Sequence, residues 1–132
     1  MAANTSPIFE RLPSNGSPQT FTSADTTSKK TVWTADATNG SRLDSIMVST
    51  DDTSAVNLAF YITISSTDYY IGNVNVPIGS GYTTVARVEA MLTLSPYLGY
   101  LALAPSALLK CNCVATMTAA KTTTIVPMGG DY

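Results

Sequence analysis

One alternation sets what this chain can become. Across Val56, Leu58, Phe60, Ile62 and Ile64 the apolar residues fall on even positions, with Asn57, Tyr61 and Thr63 between them. A period of two puts one set of side chains in a core and the other toward water, the signature of a half-buried strand. The same stretch continues on both sides. Residues 42–50, RLDSIMVST, and 69–76, YYIGNVNV, read as two more strands, separated from the first by the polar turns DDTS and SSTD. Turns of four residues between strands predict a meander of antiparallel neighbours. In the strand before, Ile46 and Val48 form one face and Leu43, Ser45 and Met47 the other; in the strand after, Tyr70, Val74 and Val76 share a face with Gly72.

Further strands are expected on both flanks. TFT at 20–22 and KKTVWT at 29–34 precede the turn pair Asn39-Gly40. After the Pro77–Tyr82 break, residues 83–94 lose the alternation: Val85, Val88, Met91 and Leu92 sit three and four apart, which predicts one or two helical turns. The apolar run 95–105, the alternating segment 108–117 and the β-branched segment 122–128 complete the set. The expectation is an all-β fold, an antiparallel, jelly-roll-like β-sandwich of seven to eight strands with one short helical turn. The terminal GGDY is either flexible or wedged against something that fixes it.

A chain of 132 residues is one domain's worth, and it needs no disulfide or metal to hold a core. Residues 1–19 stand apart. They hold Pro7, Pro13, Pro18 and the Asn15-Gly16 pair, with Ile8, Phe9 and Leu12 as isolated apolar residues. They are expected to be disordered or to form an extended arm that orders on a neighbour, with Ile8 and Phe9 as its anchors. Residues 20–132 are expected to form the sandwich.

Several chemistries are disfavoured by the residues themselves. The chain has no histidine, so no imidazole base, Ser-His-Asp or Cys-His arrangement, or His metal ligand is available. Cys111 and Cys113 share a strand face but lack the third and fourth ligands of a structural zinc site, and they read as buried, reduced, small apolar residues. The acidic residues are scattered or, like Asp51-Asp52, placed for turn geometry. No catalytic residue, cofactor or metal site is expected. A net charge of −2 argues against nucleic acid as a partner. No signal peptide and no segment of ~20 apolar residues is found, so the expected setting is a cytoplasm, away from a membrane. Charged residues make up 12% of the chain, against about 25% in ordinary soluble domains. Such a surface suits a protein that works packed against another. Its tyrosines, including Tyr61, Tyr69, Tyr70, Tyr97 and Tyr132, suit the core or an interface, or else a sugar platform.

The strand-and-turn rhythm of residues 41–81, the PIGSG segment at 77–81, the short helical turn, the Pro-containing corner and the closing GGDY together resemble the capsid cement, or decoration, proteins of tailed bacteriophages. The resemblance spans about residues 38–132. It implies a virion protein that binds the outer surface of an assembled shell, clamps neighbouring subunits of the major capsid protein, and does so as a homodimer without enzymatic activity. The contact residues to expect are Ile8 and Phe9 on the arm, Asn57 and Tyr61 on the central strand, and Tyr132 at the chain end. A carbohydrate-binding or adhesin module using the tyrosines is the alternative. An enzyme relying on Asp or Glu alone is a third reading.

Overall fold

The computed structural model describes residues 12–132, so the expected anchors Ile8 and Phe9 lie outside the described residues. Ten strands are present among the described residues: β1 (Leu12–Ser14), β2 (Gln19–Phe21), β3 (Lys30–Thr34), β4 (Ser41–Thr50), β5 (Val56–Ile64), β6 (Thr67–Val76), β7 (Val88–Glu89), β8 (Leu101–Leu103), β9 (Leu108–Cys113) and β10 (Thr123–Asp131). One helical turn, α1 (Met91–Leu94), and a 3-10 turn at Ser23–Asp25 complete the elements. The strands form two sheets, and every pairing is antiparallel. In the first sheet β10 and β4 lie side by side, with β1 and β2 along the outer side of β10 and β7 and β8 along the outer side of β4. The second runs β3-β9-β5-β6. Spatial neighbours are mostly distant in sequence, the interleaving of a jelly-roll-like sandwich. The strand count exceeds the seven to eight expected by two short strands, β1 in the segment expected to be an arm and β7 in the segment expected to be helical, three and two residues long.

The core lies between the sheets. Phe21, Trp33, Leu43, Ile46, Val48, Leu58, Phe60, Val74, Val76, Leu109 and Ile125 are all fully buried there. Three irregularities decide which residues reach it, because one extra residue turns the rest of its strand to the opposite face. On β4 the pairing with β10 skips Asp44, so Leu43 joins Ile46 and Val48 in the core instead of facing away. On β6 the pairing with β5 skips Ile71; Gly72 lies opposite Phe60, while Tyr70 pairs with Tyr61 and is exposed rather than sharing the face of Val74 and Val76. On β3 the skipped residue is Val32, and both Val32 and Trp33 are buried.

The expected meander is corrected at its first turn. β5 and β6 form a hairpin, but β4 and β5 belong to different sheets. The DDTS segment is a corner rather than a reversal. Its Asp52 is buried, and the carboxylate accepts hydrogen bonds from the Ser54 and Thr118 backbone N–H groups at 2.9 and 3.0 Å. Thr50 is tied to Ser80 and Thr122. These bonds carry the chain across the end of the sandwich.

The expected helix is also shorter than its pattern. Within 83–94 only Met91–Leu94 is helical, and Val88–Glu89 is a strand against Met47–Val48. Glu89 explains the switch: its carboxylate accepts the Ile46 and Met91 N–H groups and the Ser45 hydroxyl, holding the segment to β4. Of the apolar run 95–105 only Leu101–Leu103 is a strand, and 114–117 lies outside β9. The terminal GGDY is largely strand: β10 runs to Asp131 and is flanked by Leu12–Ser14 on one side and Ser41–Leu43 on the other.

Two segments close the open sides of the sandwich. On the β4–β6 side, α1 buries Met91, and Leu94 packs against Gly72 of β6. On the β3–β10 side lies the stretch 12–21, part of which the sequence marks as an arm. Leu12–Ser14 pairs with β10, the Ser17 N–H bonds to the Val32 carbonyl at 3.0 Å, and Gly16 lies on the Trp33 ring.

Candidate functional site

The expected contact face on the central strand is the outer face of the β3-β9-β5-β6 sheet. Tyr61 is half-buried there, and its ring meets that of Tyr70 edge-on with centroids 5.8 Å apart. The Lys29 ammonium sits 3.9 Å above the Tyr61 ring centroid, a cation–π contact that covers this face of the ring. Lys29 also bonds the Asp68 carboxylate at 2.7 Å, with Lys110 at 3.6 Å and the Thr63 hydroxyl donating at 2.5 Å. The Lys29 and Thr63 hydrogen bonds hold the Asp68 carboxyl down at about 2. Thr63 is buried although it faces outward, while Ile64, expected in the core, is 45% exposed because it lies past the core at the strand's end. Asn57 is exposed near the other end of β5 and accepts a hydrogen bond from Asn75 at 3.0 Å. The result is an ordered polar face with Tyr70 as its open ring.

Tyr132 is elsewhere. It follows β10 in the other sheet, where its N–H bonds to the Gly40 carbonyl and its carbonyl accepts from Asn39. Asn57 and Tyr61 therefore share a face, and Tyr132 does not join them.

At the β5–β6 hairpin, a cleft of about 450 Å3 is lined by Thr63, Ser65, Ser66, Ser106 and Lys110 among others. Ser65, Ser66 and Ser106 all have positive φ, at 50, 65 and 63°. A smaller depression of about 150 Å3 lies over the DDTS corner. Cys111 and Cys113 point into the core as free thiols. Burial pushes Cys111 well above the usual thiol range and Cys113 up to about 11, so both are neutral at ordinary pH. Among the described residues no group of three or more His, Cys, Asp or Glu side chains is placed to hold a metal ion, and no helix is long and apolar enough to cross a membrane.

A third surface is absent from the sequence-based expectations. Between β7 and β8 the chain leaves the edge of its sheet as an excursion of residues 91–100. Its inner side is fixed: Met91 is buried, the Ser95 hydroxyl bonds to the Tyr100 carbonyl at 2.8 Å, and the Arg42 guanidinium lies 4.2 Å from the Tyr100 ring. Its outer side carries Leu92, Tyr97 and Leu98, which are 73, 99 and 67% exposed. The signal was present in the sequence as the absence of any charged residue between Glu89 and Lys110. It reads equally well as a buried strand.

No family model, curated protein or solved structure matches the chain.

Proposed function

We propose that this protein is a structural virion protein that binds the outside of an assembled bacteriophage capsid and stabilises it by clamping neighbouring subunits of the major capsid protein. The observation that carries this reading is the exterior of the sandwich. It is poor in charge, yet it leaves Leu12, Tyr70, Ile78, Tyr82, Leu92, Tyr97 and Leu98, among other large apolar side chains, more than half exposed. Exposed apolar residues on a charge-poor surface mark proteins that act in contact with other proteins. The resemblance of residues 38–132 to capsid cement proteins names the partner, and the homodimer it implies belongs to the same proposal.

The mechanism needs no chemistry. A protein that binds the assembled shell and not its separated subunits lowers the free energy of the shell by its own binding free energy. The rigid sandwich supplies fixed contact surfaces, so little order has to be gained on binding. The test is to mix the purified protein with empty expanded shells and sediment them. Co-sedimentation and a rise in the shell's dissociation temperature are expected. Failure to co-sediment at micromolar concentration overturns the reading.

A further inference from the structure

We propose that the cleft at the β5–β6 hairpin binds the terminal sugar-acid unit of a glycan, a ligand that carries one carboxylate on a ring bearing hydroxyls; the proposal is independent of the capsid reading. The cleft lies between the Ser65-Ser66 turn and the Pro105-Ser106 corner, and Lys110 is part of its lining. Its three serines stand where backbone geometry favours another residue. Ser65 and Ser66 are the two residues that join β5 to β6, with φ of 50 and 65°, a turn that Asn-Gly or Gly-Gly makes with least strain. Ser106 follows Pro105 at φ 63° in a turn closed by the Ala107 N–H on the Ala104 carbonyl at 3.0 Å, a place normally taken by Gly or Asn. Among the described residues none of the three hydroxyls bonds to another protein group, so each can exchange water for a ligand.

The chemistry of the lining selects the ligand. A serine hydroxyl both donates and accepts, as a sugar hydroxyl does, so three of them suit a partner with several hydroxyls. Lys110 adds a charge and donors only. Its ion pair with Asp68 is long, 3.6 Å, while the same carboxylate holds Lys29 at 2.7 Å and accepts from the Thr63 hydroxyl. Two ammonium groups thus share one carboxylate, and no acidic residue lines the cleft to offset the remaining positive charge. Ile64, Pro105 and Leu108 supply apolar surface for the C–H face of a ring. At about 450 Å3 the cleft falls in the range of small-ligand sites and exceeds what an inorganic anion fills. A bare anion leaves the apolar wall and most hydroxyls unused, and a neutral sugar leaves Lys110 unused. A sugar acid engages all three. No tyrosine lines the cleft, so this site is distinct from a tyrosine platform.

The experiment titrates the isotope-labelled full chain with the methyl glycosides of glucuronate, galacturonate and N-acetylneuraminate, whose capped anomeric carbon mimics a glycan linkage. Methyl glucoside serves as the uncharged counterpart and acetate as the bare carboxylate. Amide resonances of residues 64–66 and 105–110 report the cleft. At least one sugar acid is expected to give saturable shifts there, with a Kd of about 1 mM, and methyl glucoside and acetate to bind about tenfold more weakly or less. S65G/S66G/S106G removes the hydroxyls and relieves the positive φ, so it should melt no lower than the full chain and yet bind about tenfold more weakly. Lys110→Gln should reduce the sugar acid to the level of methyl glucoside. The absence of saturable shifts with all three sugar acids, or equal binding of methyl glucoside or acetate, overturns the ligand class. Unchanged affinity in Lys110→Gln or in the triple variant overturns the site. A lower melt for the triple variant overturns the premise that these serines are kept for their hydroxyls.

Discussion

Gly16→Ala tests how the open side of the sandwich is closed. Gly16 has φ +56°, and a Cβ there would stand 2.4 Å from Trp33 Cε3 and 2.8 Å from the Val32 carbonyl oxygen. Two costs add. An alanine held in the left-handed region costs about 1 kcal/mol. Forcing a methyl into a packed ring and a backbone oxygen costs about 1–3 kcal/mol more. The variant is therefore expected to lose about 2–4 kcal/mol, with the steric part relieved by lifting residues 14–18 off Trp33. Gly99→Ala is the matched control, because Gly99 has φ +72° with nothing within 4 Å of its Cβ position, so only the conformational cost applies. Urea unfolding followed by the fluorescence of Trp33, the sole tryptophan, reads both effects. Gly16→Ala should unfold at lower urea than Gly99→Ala, and its native emission should shift to the red as the ring meets water. Equal losses in the two variants with unshifted emission would show that the 14–18 segment does not lie on Trp33.

Asp52→Ala should destabilise the protein by about 1–3 kcal/mol, since it removes the buried carboxylate that ties the Ser54 and Thr118 N–H groups across the corner, and denaturant melts check this. The same carboxylate gives a pH signature. Burial alone would raise its pKa, but hydrogen bonds from Thr118, Ser54 and Thr53 outweigh that and hold it below the usual range. Its contribution is therefore complete above the unfolded carboxylate value, near 4, and is lost as pH falls through the lowered native value. Acid unfolding below that point should be steeper in the full chain than in Asp52→Asn. Cys111 and Cys113 should resist a thiol reagent at pH 8 in the native protein and react fully in denaturant; rapid native labelling would contradict their burial.

The central strand was legible because Val56, Leu58 and Phe60 alternate strictly with the rest. The phase of its neighbours was not. Asp44 and Ile71 are single extra residues whose side chains give no sign of being skipped, yet the first turns Leu43 inward and the second turns Tyr70 outward. The DDTS corner reads as a hairpin turn because its residues favour turns; that it crosses between sheets depends on Thr118, a residue 66 positions away. The helical pattern at 83–94 fails because Glu89 substitutes for ladder partners along β4, a tertiary contact invisible to local spacing. Of the candidate contact residues, Asn57 and Tyr61 lie on the outer face of the central strand, and Tyr132 follows β10 in the other sheet. The excursion was missed because an uncharged apolar run looks alike whether it is buried or projecting.

The position of β10 has a consequence for the order of assembly. Every strand of the β3-β9-β5-β6 sheet precedes Val114, so that sheet can form as soon as Cys113 is available. The other sheet has β10 beside β4, and β1 and β2 also pair with it, so three separated parts of the chain wait for the last strand. Contacts of such sequence separation form late and slowly. The β3-β9-β5-β6 sheet must therefore persist with its inner face incompletely covered until β10 arrives, and that interval is the point at which a nascent molecule is most open to capture by its neighbours.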